Sequence, residues 1–224
     1  MREVIYGAAI FDMDGLLLDS ERVVRDAWMQ VARERRVELT DADYLQVVGR
    51  NAADARALLS RVFSSGFDFE DAQRSVDALL AERKGEAFFP PKPGAAALLG
   101  CLRALGVRCG VASSTRVEEV RRRLDGAALL PFFASICGGD EVARGKPSPD
   151  LFLLASERIG VAPRHCLVFE DSEHGARGAL AAGMSAVIVP DLKTPDGALR
   201  DLCVAVLKSL EEALPSCERW FAAR

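Results

Sequence analysis

Residues 5–19 read IYGAAIFDMDGLLLD. An apolar run rich in strand formers stops at two carboxylates one residue apart, followed by a glycine. A run of this length predicts a buried strand. Residues i and i+2 of an extended segment share a face, so Asp12 and Asp14 are expected to point the same way if the strand continues to them. Two like charges at the end of a buried strand are unfavourable unless a cation lies between them or one holds a proton. Asp and Gly are also ordinary turn residues. On this stretch alone the pair reads either as a magnesium-dependent acidic site or as a strand end.

Beyond residue 86, short apolar runs alternate with helical patterns. Strands are expected at 107–112, 134–137, 166–169 and 186–189, and helices at 117–124, 150–159 and 174–182. Pro147 and Pro149 precede the second of these helices, a place where helix starts tolerate proline. Gly183 suits the C′ position of the third. Such alternation implies a parallel sheet covered on both faces. Residues 20–86 break the rhythm. They show no clear strand, and apolar residues recur at helical spacing, as in Val23, Ala27 and Val31 and then Leu58, Leu59 and Val62. Three or four helices are expected there. The fold class is therefore α/β. A Rossmann-like parallel-sheet core, residues 1–16 and 87–224, is interrupted by a small α-helical cap at 17–86. FPPKPG at 89–94 reads as the stiff return connection. The two crossings, near 16–20 and 87–91, would form a hinge, and cap closure would expel water and complete a site.

The chain has 224 residues and is half hydrophobic, which suits one globular unit with a small insert. A net charge of −4 argues against a general nucleic-acid binder, which presents a basic face. No apolar run approaches the ~18 residues of a membrane span, and no signal peptide is expected. Six cysteines are scattered without a CxxC pair, so a reducing cytoplasm is the expected location. Two histidines exclude a multi-histidine metal centre, and the acidic ligands that remain favour a hard cation such as magnesium. Nothing points to an obligate partner chain, and a monomer is expected.

Three further elements carry chemistry. The strand at 107–112 runs into Ser113-Ser114-Thr115. A hydroxyl and free N–H groups at a helix start can hold a phosphate, or simply cap the helix. GKPSPD at 145–150 places Lys146 in a loop before a helix, where a lone lysine is ordinarily solvated. The strand at 166–169 runs into Glu170 and Asp171, a second acidic pair. Open α/β sheets bind ligands beyond the carboxyl ends of their strands, and both pairs belong there.

In order and spacing, DMDG with Asp19-Ser20, a strand ending at Ser113, GKPSPD and Glu170-Asp171 resemble the motifs of the haloacid dehalogenase-like hydrolases. The resemblance covers essentially the whole chain. It is nearest to the group with a helical cap after the first motif, which includes β-phosphoglucomutases and sugar-phosphate phosphatases. It implies that Asp12 attacks phosphorus to form an aspartyl phosphate. Asp14 would protonate the leaving oxygen and then deprotonate the hydrolytic water. It implies Mg2+ on the Asp12 carboxylate, the Asp14 backbone carbonyl and Asp171, with Glu170 direct or through water. Ser113 and the Ser114 N–H would hold phosphoryl oxygens, and Lys146 would add positive charge. The expected partner is a small phosphorylated metabolite, a sugar phosphate or nucleoside monophosphate. Arg50, in Gly49-Arg50-Asn51, resembles a cap-loop residue aimed at the substrate, although a solvated surface arginine fits it equally. Glu21, beside the hinge, is a second substrate-binding candidate. His174 reads as a first-turn helix residue.

Other readings fit less well. A haloacid dehalogenase has no use for Asp14. A phosphonatase needs a cap lysine, and Lys84, the only lysine in 17–86, lies near the hinge return. Mutases of the resembling group carry a histidine where this chain has Val24, which favours hydrolysis over transfer. A phospho-accepting receiver domain has about half this length and no helical insert. The sequence thus predicts a magnesium-dependent phosphatase.

Overall fold

Strand β1 (Ala8–Phe11) is buried along its whole length, and the rest of the molecule is arranged around it. The structure, a computed structural model, describes residues 6–47, 52–62, 68–82 and 89–221. After β1 the chain runs through four helices without a strand among the described residues: α1 (Ser20–Glu34), α2 (Asp41–Leu45), α3 (Ala52–Val62) and α4 (Phe69–Glu82). It then alternates through α5 (Ala95–Ala104), β2 (Arg108–Ser113), α6 (Val117–Gly126), β3 (Phe133–Gly138), α7 (Asp150–Ile159), β4 (Cys166–Glu170), α8 (Glu173–Ala181), β5 (Ser185–Ile188), α9 (Gly197–Leu202), β6 (Ala205–Val206) and α10 (Cys217–Phe221).

The six strands form one sheet in the order β3-β2-β1-β4-β5-β6. All five pairings are parallel. The alternation of side chains along β1 explains the two covered faces. Ala9 and Phe11 join one apolar cluster with Leu98, Leu99 and Leu102 of α5 and Trp220 and Phe221 of α10. Ala8 and Ile10 join the other, with Leu151, Phe152 and Ala155 of α7 and Ala179 of α8. Phe11 stacks on Phe169 of the neighbouring strand at 4.8 Å between ring centroids. The expected strands and helices are present within one or two residues at most ends, and α7 spans 150–159 as expected.

The inserted helices bury their apolar stripes mainly against one another. Ala27, Trp28 and Val31 of α1 meet Tyr44, Leu59, Ala72 and Val76 in a third cluster. Thr40 starts α2 with a capping box: its side chain accepts from the Asp43 N–H, and its own N–H donates to Asp43 Oδ2. Where the segment joins the sheet, Leu18 and Pro91 form an antiparallel bridge. The Asp19 N–H donates to the Pro90 carbonyl and the Lys92 N–H to the Leu17 carbonyl, each at 2.9 Å. No described helix is long and apolar enough to cross a membrane.

Candidate active site

The chain winds outward from β1 to β2 and β3, then returns to place β4 on the other side of β1. This reversal opens a crevice at the carboxyl ends of β1 and β4, the usual ligand position in such sheets. Asp12 follows β1, Ser113 ends β2, Glu170 ends β4 and Asp171 follows it. Asp12 is anchored by its N–H, which donates to the Phe169 carbonyl at 3.0 Å.

Asp12, Glu170 and Asp171 come together. One carboxylate oxygen from each lies within 4.8 Å of the others, and all three residues are buried. Lys146 reaches over from the loop before α7. Its ammonium donates to Asp12 Oδ1 and, at 2.5 Å, to Glu170 Oε1. The lysine side chain is only 6 % exposed, so it is not the solvated loop residue that its sequence context alone would give. Burial works against its charge, but Asp12 and Glu170 outweigh that and hold its pKa above the ordinary value. Burial raises the pKa of Asp12. Lys146 opposes the shift, while Glu170 and Asp14 reinforce it. Burial, Glu170 and Asp12 likewise raise Asp171.

With all three carboxylates ionised, the one ammonium would leave two negative charges uncompensated in this buried cluster. Oxygen-only donors in this number are what a hard divalent cation takes. The residues therefore fit the magnesium expected from the sequence.

Two glycines make the crowding possible. A Cβ on Gly175, in α8, would lie 1.8 Å from Glu170 Oε1. Gly15 has φ +82°, and a Cβ there would lie 2.4 Å from Asp171 Oδ2. Ser172 finishes the wall. Its hydroxyl donates to Glu170 Oε2 at 2.9 Å, and it caps α8 by accepting from the Gly175 N–H.

Asp14 is held by a different set of groups. The strand ends at Phe11, so strict alternation does not carry to Asp14. Its carboxylate accepts from Ser20 Oγ at 2.7 Å, Thr115 Oγ1 at 2.8 Å and Arg123 Nη1 at 2.7 Å, with Ser113 Oγ at 3.4 Å. Ser113 Oγ also accepts from the Thr115 N–H at 3.1 Å. Ser114 is exposed at the start of this turn. Glu21 is half-buried on the first turn of α1. Burial, with the charges of Asp14 and Asp191, pushes its carboxyl up to about 7. Arg50 and its neighbours Gly49 and Asn51 lie outside the described residues. His174 is half-buried in the first turn of α8.

Sequence reasoning missed Arg123, Lys92 and Asp191. Arg123 sits on α6, bonds Asp14 and Glu119, and covers the Phe89 ring at 4.6 Å. Asp191, just past β5, accepts from Lys92 Nζ at 2.6 Å and pairs with Arg22 at 2.5 Å. The Val-Pro-Asp run at 189–191 was the available signal for Asp191, because it too follows a parallel strand.

A sequence model described as haloacid dehalogenase-like hydrolase matches residues 6–183. Among curated relatives, "Phosphorylated carbohydrates phosphatase" of Thermotoga maritima is 29% identical over 209 residues, 91% of this chain and 95% of that one. "Probable pseudouridine-5′-phosphatase" of Drosophila melanogaster is 34% identical over 195 residues, 81% of this chain and 80% of that one. Among solved structures, a HAD family hydrolase from Deinococcus radiodurans R1 with bound phosphate and sodium superposes with a TM-score of 0.76. It is 30% identical, and the match covers 98% of this chain and 100% of that one.

Proposed function

Since the chain belongs to the haloacid dehalogenase-like hydrolases, we propose that it is a magnesium-dependent phosphatase of small phosphorylated metabolites that works through an aspartyl phosphate. The observation that carries the reading is the meeting of Asp12, Glu170 and Asp171 within 4.8 Å beside the Lys146 ammonium. The cation would be held by Asp12, Asp171 and the Asp14 backbone carbonyl, with Glu170 direct or through water. When bound, it supplies charge that offsets the repulsion between a phosphate and these carboxylates.

The other steps belong to the chain. Asp12 attacks phosphorus with the oxygen not taken up by the lysine, and the leaving alkoxide takes a proton from Asp14. Water then enters, loses its proton to Asp14 and releases phosphate from Asp12. Ser113 and the Ser114 N–H hold phosphoryl oxygens, and Lys146 stabilises charge as it develops. The hydrogen bonds on Asp14 from Ser20, Thr115 and Arg123 support this division of labour. They orient a carboxyl that must exchange a proton, while Asp12 is held separately by Lys146.

Residues 17–86 act as a cap, hinged at 16–20 and 87–91, that closes over the crevice and selects the substrate. Arg50 and Glu21 would contact the substrate body. Sugar phosphates and nucleoside monophosphates, including pseudouridine 5′-phosphate, are the first compounds to test, and the cytoplasm is where they would be met. Hydrolysis is favoured over mutase chemistry because Val24 packs among apolar side chains and offers no polar group.

A phosphate-release screen over metabolite phosphates, with Asp12→Asn as control, tests the reading. Release that needs Mg2+ and Asp12 supports it. Release undiminished in Asp12→Asn overturns it.

A further inference from the structure

The two oxygens of the Asp191 carboxylate, beside the site, are treated differently by their surroundings. Its side chain is fully buried, 0 % exposed. Oδ1 takes both available cations, Lys92 Nζ at 2.6 Å and Arg22 Nη1 at 2.5 Å. Oδ2 is buried with no hydrogen-bond partner among the described residues. A buried carboxylate oxygen without a donor is unfavourable and calls for an explanation. The direction it faces supplies one. A Cβ placed on Gly15 would lie 2.4 Å from Asp171 Oδ2 and 3.4 Å from Asp191 Oδ2. The orphan oxygen is thus aimed at the same small space that the Asp171 carboxylate lines. Asp191 is nevertheless outside the group of three that can reach one ion together.

We propose that Asp191 is a positioning residue of the metal site, its Oδ2 accepting a hydrogen bond from a water in the hydration shell of the cation held by Asp12, Glu170 and Asp171. This rests on the reading that those three hold magnesium. A small hard cation keeps several waters, and each is a strong donor seeking a fixed acceptor. Lys92 and Arg22 serve to orient Asp191: by occupying Oδ1 they turn Oδ2 inward. Arg22 lies on α1, so the arrangement also ties the metal site to the inserted helices. Nothing within the first motif or the Glu170-Asp171 pair encodes it.

The test is calorimetric titration of Mg2+ into substrate-free protein, wild type beside Asp191→Ala, Asp191→Asn and Asp171→Asn. Loss of such outer partners typically weakens metal binding by about 10-fold to 100-fold, and that weakening is expected for both Asp191 variants. Far-UV circular dichroism checks folding, and the isosteric Asp191→Asn keeps the test alive if the alanine variant unfolds. A residue that only braces the fold would lower the melting temperature and leave metal affinity alone. Affinity equal to wild type in a folded Asp191 variant, with binding abolished in Asp171→Asn, overturns this inference and leaves the metal reading standing. Wild-type protein that binds no Mg2+ overturns both.

Discussion

Arg123 Nη1 lies 2.7 Å from Asp14 Oδ1, a contact made across 109 residues of chain. Arg123 is itself held by Glu119 Oε1 at 2.7 Å. The arginine side chain is 18 % exposed, which places the pair at the edge of the crevice rather than in bulk solvent. A general acid works only if its proton is aimed at the leaving oxygen, and Arg123 fixes one of the two Asp14 oxygens.

Arg123→Met is therefore expected to lower kcat by about 10-fold to 100-fold, the range that misplacement of a reacting group produces, with KM changed little. Arg123→Lys restores part of the loss. Separate measurement of kcat and KM decides it. A pure KM effect, or no rescue by lysine, would move Arg123 to substrate binding.

Gly175 and Glu170 cannot both stay in place if the glycine gains a methyl group, because the new carbon would sit 1.8 Å from the carboxylate. Gly175→Ala must displace Glu170 and with it one of the two partners of Lys146. Overpacking of this kind costs about 1–3 kcal/mol. A lower melting temperature and at least a tenfold loss of activity are expected. Wild-type turnover in this variant would contradict the placement of Glu170 in the site.

Glu119 gives an acid-side test. Hydrogen bonding from Arg122, with Arg123 adding to it, brings its pKa down from 4.5 to about 2. Its ionised form is thus favoured in the folded protein. The stabilisation is full above pH 4.5 and fades as pH falls toward 2. With a side chain nearly a third exposed, solvent screening leaves about 1 kcal/mol. Urea unfolding of wild type and Glu119→Gln should differ by that amount near neutrality and converge at the acid end.

Glu21 carries the opposite sign. Its carboxyl is pushed from 4.5 up to about 7, so the folded protein holds a proton that the unfolded chain releases. The resulting destabilisation is absent below pH 4.5, grows through the window and is complete above about 7. In metal-free protein, Glu21→Gln is expected to be more stable than wild type on the alkaline side, by on the order of 1–2 kcal/mol once solvent screening of this half-buried side chain is allowed for. The two should be equally stable at the acid end. Melting temperatures across the window check it, and a constant difference at all pH values would contradict it.

What the sequence revealed and what it hid have physical reasons. Asp12 and the Glu170-Asp171 pair were readable because each directly follows an apolar run, and parallel strands bring their carboxyl ends to one edge. Lys146 was readable only as part of the GKPSPD resemblance, since nothing local shows that a loop lysine will be 6 % exposed. Arg123 was hidden because it sits on an amphipathic helix among other charges, of which Glu118, Arg121, Arg122 and Asp125 are exposed. Lys92 and Asp191 meet across 99 residues and belong to no periodic pattern. Strand β6 has two residues, too few for any alternation to register. The expectation that Asp12 and Asp14 share a face assumed a strand reaching to both. The strand stops at Phe11, and Asp14 instead turns to the hydroxyls of Ser20 and Thr115.

The most direct measurement is mass spectrometry of protein quenched in acid while it turns over a phosphorylated metabolite with Mg2+. A phosphoryl group is expected on the peptide that contains Asp12, sensitive to hydroxylamine and absent from Asp12→Asn, which releases no phosphate. Steady phosphate release from Asp12→Asn, with no adduct on the wild-type peptide, would contradict it.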